Sequence, residues 1–444
     1  MNNKSSFGYI IYLLIPILLI TGPALPDIAL TLFVFLVIIF KINLLFRINQ
    51  TWMIFFLILW VWFLLISFFA YDFEISISDS IIFIRFILFI ILANLLFTSL
   101  DTTLIKIILY TLFISCIFVS IDTLFQFYNY DYENGFGSDL LGKVPEDLYG
   151  RLSGPFNNLV PGSYLSRLIF FIIILYLLEK EKIERNIYLL LLFYLILILI
   201  FSVIYFTGER MAVATTLLGL FIIIFSKNIR KLIILPILFS LFFILINITI
   251  HPHYNNYKIL SSGPNHQGLL IEREINCEKI NQKCKKNYLM QPKFLSVLKN
   301  FNKSAYGEIY SSALHMWNDN KVTGIGLNNF TLVCEEQIKY RKFNQNFGCT
   351  THPHNIYIQV LVESGIVGLV IFLVFVILLF LKIYKIKNLD FKLIFISIHL
   401  SIFWPIMSTG SILKNWNMVF ISFILSLLLI LIDNNYLSKK YLSK

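Results

Sequence analysis

Histidine is concentrated in one part of the sequence. Six of the seven histidines lie between residues 251 and 354, and a His-Pro-His tripeptide stands at each end of this stretch, at 251–253 and 352–354. A positioned imidazole can act as a general base, and several together can bind a metal ion. Both interpretations are open for His352 and His354. For His251 and His253, an incidental role at a membrane surface is as well supported as a functional one.

Arginine and lysine occupy different places along the chain. Three of the nine arginines share lysine-rich loops, but four others lie at or just inside the ends of long apolar segments: Arg85, Arg151, Arg167 and Arg210. An ionised residue within such a segment usually faces a cavity or a partner, and a guanidinium binds phosphate oxygens in pairs. We therefore expect a site for an anionic group such as a phosphate. The alternative is that Arg85 and Arg167 only extend toward lipid headgroups.

No nucleotide-binding motif accompanies these arginines. The sequence contains no Walker-type glycine-rich loop, no GxGxxG after a strand, and no DxD-like acidic pair in segment 251–355. A donor that carries its own activation, such as a lipid-linked diphosphate, fits this pattern.

Four of the five cysteines also fall in segment 251–355: Cys277, Cys284, Cys334 and Cys349. In an oxidising compartment four such thiols indicate two disulfides. We favour the pairs that are local in sequence, Cys277 with Cys284 and Cys334 with Cys349. Four free thiols are the alternative, and zinc is a weaker one because Cys-x6-Cys matches the usual ligand spacing poorly.

The composition indicates what kind of protein carries these residues. Of the 444 residues 58% are hydrophobic and only 14% are charged, with a net charge of +11, whereas an ordinary soluble domain is about one quarter charged. The chain is therefore expected to be an all-α polytopic membrane protein, which excludes soluble, disordered and fibrous classes. The positive charge then reflects membrane topology rather than nucleic-acid binding.

Twelve apolar stretches have a length close to that of a membrane-spanning helix, which needs about 20 residues. They lie at 8–22, 25–40, 51–70, 81–97, 104–127, 160–178, 187–206, 210–226, 232–250, 356–381, 391–408 and 416–433. Loops on the side of the termini carry 17 basic residues, and the short loops on the other side carry four: Lys143, Arg151, Arg210 and Lys414. Because cytoplasmic loops collect Lys and Arg, we expect both termini to be cytoplasmic.

This topology divides the chain into four parts. Residues 1–250 hold helices one to nine and an external loop at 128–159, and residues 251–355 form a large external domain between spans nine and ten. Residues 356–433 hold helices ten to twelve, and 434–444 form a cytoplasmic tail. Within 251–355 only 304–318 has apolar residues at helical spacing, and little of the remainder looks like strand.

One stretch of the sequence resembles a known signature. Residues 352–369, with His-Asn-x-Tyr at 354–357 and Glu-x-Gly-x-x-Gly at 363–368, resemble the motif of the O-antigen ligase and O-antigen polymerase superfamily. Residues 151–156, 162–167, 208–212 and 318–330 are similar to further motifs of that superfamily, in the same order. Many members have an arginine before the aromatic residue of the loop helix, but Ala305–Tyr310 lacks one, and Arg273 or His315 could replace it.

The resemblance implies a glycosyltransferase with a GT-C-like fold at the periplasmic face of the bacterial inner membrane, without cofactor or metal. Its donor would be an undecaprenyl-diphosphate-linked glycan, and its acceptor a lipid A-core or a second lipid-linked glycan. His354 would be the base, and the diphosphate would bind Arg210, Arg151, Arg167 and Arg85. The supporting residues would be His352, Asn355, Glu363 and Glu209. Because Pro353 turns the chain, the imidazoles of His352 and His354 need not point the same way.

Two alternatives to a ligase remain. A repeat-unit polymerase of the same superfamily would differ only in its acceptor. A transporter or flippase is a more distant alternative, favoured mainly by Asp122 within the fifth span. The sequence shows no internal repeat between its halves, and its ionisable residues gather at one face of the membrane rather than at its middle.

Overall fold

The computed structural model describes residues 3–131, 134–145, 150–255, 257–262, 269–277, 282–291, 297, 299–342, 349–406, 410–437 and 441–442. The chain forms two compact units. Unit 1 comprises Met1–Thr102, Phe301–Asn388 and Ile402–Lys444, and unit 2 comprises Thr103–Asn300 and Leu389–Ser401. The segment 251–355 is thus shared between them, with residues up to Asn300 in unit 2 and the remainder in unit 1.

Helices account for most of the chain. Those before segment 251–355 are α1 (Asn3–Leu18), α2 (Ala24–Lys41), α3 (Thr51–Ser67), α4 (Phe73–Phe97), α5 (Thr102–Tyr128), α6 (Pro161–Arg185), α7 (Ile187–Phe206), α8 (Arg210–Ile223) and α9 (Lys227–Ile250). Those within and after it are α10 (Ala305–Asp319), α11 (Phe330–Glu336), α12 (Ile338–Arg341), α13 (Ile356–Tyr384), α14 (Leu389–Phe403), α15 (Asn415–Asp433) and α16 (Asn435–Leu437).

A helix occupies each of the twelve stretches predicted to span a membrane. Among the described residues, eight helices are long and apolar enough to cross a bilayer: α2, α4, α5, α6, α7, α9, α13 and α15. The other four, α1, α3, α8 and α14, have 16, 17, 14 and 15 residues. The prediction of an all-α polytopic membrane protein is confirmed, while the number of helices that cross the membrane stays a prediction.

Segment 251–355 contains more strand than the sequence suggested. Strands β3 (Lys258–Ser262), β4 (Leu269–Cys277) and β5 (Gln282–Met290) form an antiparallel sheet in unit 2. Earlier in the chain, β1 (Tyr130–Asp131) and β2 (Gly135–Phe136) form a short hairpin between α5 and α6. The expectation of little strand was wrong here. Polar and charged residues dominate β5, so the alternation of apolar and polar residues that marks a strand is missing.

The loop between β2 and α6 is fastened to α5 by two polar side chains. The Asp122 carboxylate accepts a hydrogen bond from the Leu140 amide at 3.1 Å. The Gln126 side-chain oxygen, Oε1, accepts from the amides of Ser153 at 3.0 Å and Gly154 at 2.8 Å. Asp122, the residue that most favoured a transporter, thus helps to hold the loop that carries Arg151.

In unit 1, α10 forms where the apolar spacing of 304–318 predicts a helix. The Ser304 hydroxyl caps it by accepting from the Gly307 amide at 3.2 Å. Its apolar face packs with α11 and α13 in a buried cluster that includes Met316, Phe330 and Val362. Packing against α13 fixes the position of α10 relative to the residues that precede α13.

Cys334 and Cys349 form a disulfide with a Cα–Cα distance of 5.6 Å. The bond joins α11 to the segment just before His352. The side chains of Cys277 and Cys284 lie outside the described residues, so their pairing stays a prediction.

Helix α13 is kinked at Gly365, whose φ is +69°. The chain before α11 runs along this kink, where the amides of Ile325 and Gly326 each donate at 3.0 Å to the carbonyls of Val362 and Glu363. A Cβ at Gly365 would overlap the backbone of this docked segment. A glycine is therefore needed both for the conformation of the kink and for the close approach.

Candidate active site

His354 stands immediately before α13 in an unusual backbone conformation. Its φ is +55°, in the left-handed region that residues with a Cβ seldom adopt and that is common at functional sites. The next residue, Asn355, is the N-cap of α13, and its side chain accepts from the amides of Tyr357 at 3.0 Å and Ile358 at 3.2 Å. The capped helix end therefore fixes where His354 lies.

His352 packs directly against His354. The centroids of the two imidazole rings are 4.1 Å apart, and His352 Nδ1 lies 2.9 Å from the Thr351 hydroxyl. His352 is buried, with 4% of its surface exposed, whereas His354 is half-buried. The two rings are thus in contact, and their planes differ by 46°. His354 is the more accessible of the two and the better candidate for contact with a substrate.

Two tyrosines of α10 lie beside the histidine pair. The Tyr306 ring is 6.0 Å from the His354 ring in an edge-to-face arrangement, and 6.4 Å from the Tyr310 ring. The Tyr310 hydroxyl hydrogen-bonds the Asn355 side chain, and burial raises the pKa of Tyr310 to about 12. The Tyr310 hydroxyl therefore stays protonated near neutral pH, and α10 contributes aromatic surface next to His354.

The first turns of α13 bind the last residue of α14 and the connection between α14 and α15, residues 404–414. Asn355 Nδ2 donates to the carbonyl of Pro405 at 2.8 Å, and Tyr357 Oη donates to the carbonyl of Phe403 at 2.6 Å. Gln359 Nε2 donates to Ser411 Oγ at 2.8 Å. The polar residues that follow His354 therefore hold this connection against the beginning of α13.

Lys414 ends the α14–α15 connection as the N-cap residue of α15, and it is exposed. Burial of the imidazole and, secondly, the positive charge of Lys414 lower the pKa of His354. His354 is consequently neutral near pH 7, which is the state that can accept a proton. Lys414 also places a cation beside the histidine pair.

Glu363 supports the same connection from within α13. It is buried, with 1% exposure, and both of its carboxylate oxygens lie 3.3 Å from Gln359 Nε2. The two residues are four apart and share one face of the helix. Glu363 thus orients the amide that binds Ser411.

In unit 2, Glu209 binds the N-terminus of α6. Its carboxylate accepts from the amides of Gly162 at 2.8 Å and Ser163 at 3.1 Å, and also from the Ser163 hydroxyl. These amides have no partner within the helix, and the helix dipole favours a negative charge at this end. Burial raises the pKa of Glu209, while Arg151 and these hydrogen bonds act in the opposite direction.

Glu209 is the common neighbour of three arginines. Arg151 Nη2 lies 3.9 Å from its carboxylate, Arg210 follows it in sequence, and Arg167 is within electrostatic range. The structure therefore brings together three of the four arginines that the sequence singled out.

These arginines differ in exposure. Arg167 is buried in α6, with its Nε 3.4 Å from the carbonyl of Ser401. Arg151 donates to the carbonyl of Leu159 at 2.8 Å but keeps 28% of its side chain exposed. Arg210 is half-buried and opens α8, where its charge adds to the positive end of the helix dipole. Arg151 and Arg210 therefore offer positive charge that an anion could reach.

Arg85 differs from the other three arginines. It belongs to unit 1, where Nη2 lies 3.0 Å from the Asp27 carboxylate and 3.1 Å from the Asn415 side-chain oxygen. Its charge is balanced by Asp27, so its observed role is to join α4 to α2 and to the beginning of α15. The structure thus gives Arg85 protein partners where the sequence led us to expect a diphosphate.

His251 and His253 lie in an aromatic cluster of unit 2. His251 Nε2 is 2.9 Å from the carbonyl of Phe127, whose ring stacks on the imidazole at 3.9 Å. His253 packs 4.7 Å from Phe136, and burial lowers its pKa to about 4. These contacts agree with the incidental interpretation, in which the two histidines pack as neutral rings.

No group of three or more His, Cys, Asp or Glu side chains is arranged to hold a metal ion within the part of the chain that the structure describes. The metal hypothesis for His352 and His354 is addressed by the chelation experiment below.

Sequence reasoning missed Tyr306, Tyr310 and Lys414. The two tyrosines are four residues apart, which places them on one face of α10. In the sequence, residues 305–310 stood out only because they contain no arginine. Lys414 counted only as a loop charge. No local pattern could connect it with His354, because the packing of α13 against the α14–α15 connection brings the two within electrostatic range.

Residues 195–373 match the family model described as O-antigen ligase. The matched segment runs from α7 into α13, so it contains Glu209, Arg210, His352, His354 and Glu363. No curated protein matches the chain. The match includes three of the five motifs that carried the resemblance, those at 208–212, 318–330 and 352–369. The helices agree with a protein of many spans. Residues 195–373 are therefore similar to the O-antigen ligase family, which supports the resemblance of the chain to the O-antigen ligase and O-antigen polymerase superfamily.

Proposed function

We propose that the protein is a membrane glycosyltransferase of the O-antigen ligase type. It transfers a glycan from undecaprenyl diphosphate to a hydroxyl of a lipid A-core or similar acceptor. The observation that carries this proposal is the position of His354, which is half-buried and held in a left-handed turn within the family-matched segment.

His354 is the proposed general base. The acceptor oxygen attacks the anomeric carbon of the donor, and its proton passes to a ring nitrogen of His354. The bond from that carbon to the diphosphate oxygen breaks, and its electron pair leaves with the diphosphate. A single displacement of this kind inverts the anomeric configuration, and a positioned histidine contributes roughly 10²–10⁴-fold to such a reaction.

The arginines around Glu209 are the proposed site for the diphosphate. Arg151 and Arg210 supply reachable guanidiniums, and the buried Arg167 adds fixed positive charge. Charges that are already in place stabilise the departing diphosphate without reorganisation. The proposed reaction accordingly needs no divalent ion, and Glu209 serves to orient Arg151.

The distribution of basic residues supports a periplasmic site in a bacterial inner membrane. The 17 basic residues on the side of the termini, against four in the short loops of the other side, favour cytoplasmic termini. In this proposed topology, His354 and Arg210 both lie at the periplasmic ends of their spans.

Reconstitution tests the proposal directly. Purified protein in liposomes receives an undecaprenyl-diphosphate-linked glycan, either with lipid A-core or with no other acceptor, and products are separated by mass. We expect transfer only with lipid A-core, and much slower transfer with the His354→Ala variant. Longer lipid-linked glycans in the absence of lipid A-core would instead identify a polymerase. No product under either condition, from protein that is folded, would reject glycosyl transfer.

A further inference from the structure

A row of aromatic side chains begins at His354. The Tyr306 ring is 6.0 Å from His354 and 6.4 Å from Tyr310, and the Phe301 ring is 5.7 Å from Tyr310. We refer to Phe301, Tyr306 and Tyr310 as the aromatic row. The row lies at the beginning of α10, which is outside the spanning helices.

The backbone holds the aromatic row in place. The Phe301 carbonyl accepts from the Ser304 amide at 2.9 Å and from the Ser304 hydroxyl at 2.6 Å. A Cβ on Gly307 would lie 1.9 Å from the same carbonyl, so only glycine permits the turn to fold back this closely on α10. At the other end, the Tyr310 hydroxyl is bonded to Asn355. The rings are therefore positioned before any ligand arrives.

Two members of the aromatic row remain open to a ligand. Tyr306 is 37% exposed and Phe301 is 38% exposed, whereas Ile309, Ala313 and Met316 of α10 are buried. An aromatic ring carries partial negative charge on its faces. It therefore attracts the C–H bonds on the flat side of a pyranose ring, while the sugar hydroxyls at the rim remain free to bond with polar groups.

We propose that the aromatic row is the subsite for a pyranose ring of the acceptor glycan. The inference rests on the proposed function, in which His354 takes the proton of the acceptor hydroxyl. A sugar stacked on Tyr306 would lie next to that imidazole, so one of its hydroxyls could reach the base. The ring belongs to the acceptor because the base contacts the acceptor oxygen, while the donor is bound through its diphosphate.

The test compares Tyr306→Leu with Tyr306→Phe. Leucine removes the aromatic face and keeps an apolar side chain, whereas phenylalanine keeps the face and removes only the hydroxyl. We expect Tyr306→Leu to raise the KM for lipid A-core about tenfold, in line with the energies of aromatic contacts, with an unchanged KM for the lipid-linked donor. Tyr306→Phe should stay near the wild type. Phe301→Leu should likewise raise the KM for lipid A-core, and its control Phe301→Tyr should stay near the wild type. This second pair of variants keeps the test valid if one leucine variant misfolds.

The outcomes separate the possible ligands. An unchanged acceptor KM in both leucine variants would overturn the proposal and leave the row as a contact with the membrane surface. A raised KM for the donor alone would also overturn it, since the sugar would then belong to the donor. Direct titration of lipid A-core into each purified variant needs no turnover. If the wild type binds lipid A-core without transferring glycan, the proposed function fails while the titration still decides the subsite.

Discussion

The imidazole rings of His352 and His354 lie in contact, with their centroids 4.1 Å apart, and only the second ring is accessible. His352 is fixed by burial and by the Thr351 hydroxyl. His354 is fixed by its left-handed backbone and by the cap of α13. The pair therefore consists of one histidine that can contact a substrate and a second one that restricts the orientation of the first.

His354→Ala should lose most of the transfer activity, roughly 10²–10⁴-fold in kcat, because the proposed base is removed. His352→Ala should lose less, because His354 keeps its own backbone constraints when its neighbour is gone. Steady-state rates with saturating donor and acceptor measure both effects, and a chelator should leave the wild-type rate intact. If the two histidines bound a metal, both substitutions would be equally severe and chelation would inactivate the protein.

Transfer should require the neutral form of His354, so the rate should fall as the pH drops through the pKa of this residue. Burial and Lys414 both lower that pKa, and the fall should therefore occur below the ordinary histidine value of about 6.5. Lys414→Gln removes one of the two causes, so the pKa should rise and the acid limb of the pH–rate profile should move to higher pH.

The control for this experiment is Lys414→Arg, which keeps the charge and should keep the profile. The other titratable groups beside His354 are His352, Tyr306 and Tyr310, and all of them are the same in the two variants. An acid limb that stays in place in Lys414→Gln would show that the charge of Lys414 does not act on the base.

The sequence was most informative where a pattern is local. Each apolar stretch of about 20 residues became a helix, and the spacing of Ile309, Ala313 and Trp317 predicted α10. Relationships that depend on packing were missed. Nothing in the sequence pairs Arg85 with Asp27, because the two lie on different helices.

The candidate site shows the same division. The residue types at 352–355 and 209–210 pointed to the base and to the arginines, since imidazole and guanidinium chemistry can be read from the side chains alone. The left-handed conformation of His354 and the kink at Gly365 could not be read in this way. Both depend on segments distant in sequence that pack against α13.

The disulfide between Cys334 and Cys349 should be present in protein taken from an oxidising compartment. Alkylation without reductant, followed by mass spectrometry, should label neither thiol. Replacing both cysteines by serine should cost roughly 3 kcal/mol in the chain-entropy description of a loop of about 15 residues. A reporter of unfolding, such as loss of a native fluorescence signal with temperature, measures this loss. Free labelling of both thiols would contradict the assignment of this segment to the periplasm.

Both chain ends should be cytoplasmic, because basic residues collect in the loops on their side of the membrane. A fusion after Lys444 to a reporter that fluoresces only in the cytoplasm should be bright, and one to a phosphatase active only in the periplasm should be silent. The same two reporters placed in the loop between α5 and α6, for example after Asn134, should give the opposite result: no fluorescence and an active phosphatase. Periplasmic activity after Lys444 would invert the topology and the proposed location of the site.

Arg210 should be needed for the geometry of its guanidinium as well as for its charge. Arg210→Lys keeps the positive charge at the beginning of α8 but loses the planar pair of donors that matches phosphate oxygens, so it should impair transfer and raise the KM for the donor. Arg210→Ala removes both and should abolish transfer.

Arg185→Lys is the matched control for Arg210→Lys, because Arg185 is an exposed arginine that pairs only weakly with Glu181 on the surface of α6. It should leave the donor KM unchanged. Expression and gel-filtration profiles of each variant separate a loss of binding from a loss of fold. Wild-type kinetics in Arg210→Ala, at normal expression, would remove Arg210 from the diphosphate site and leave that role to Arg151, whose guanidinium is the other reachable one beside Glu209.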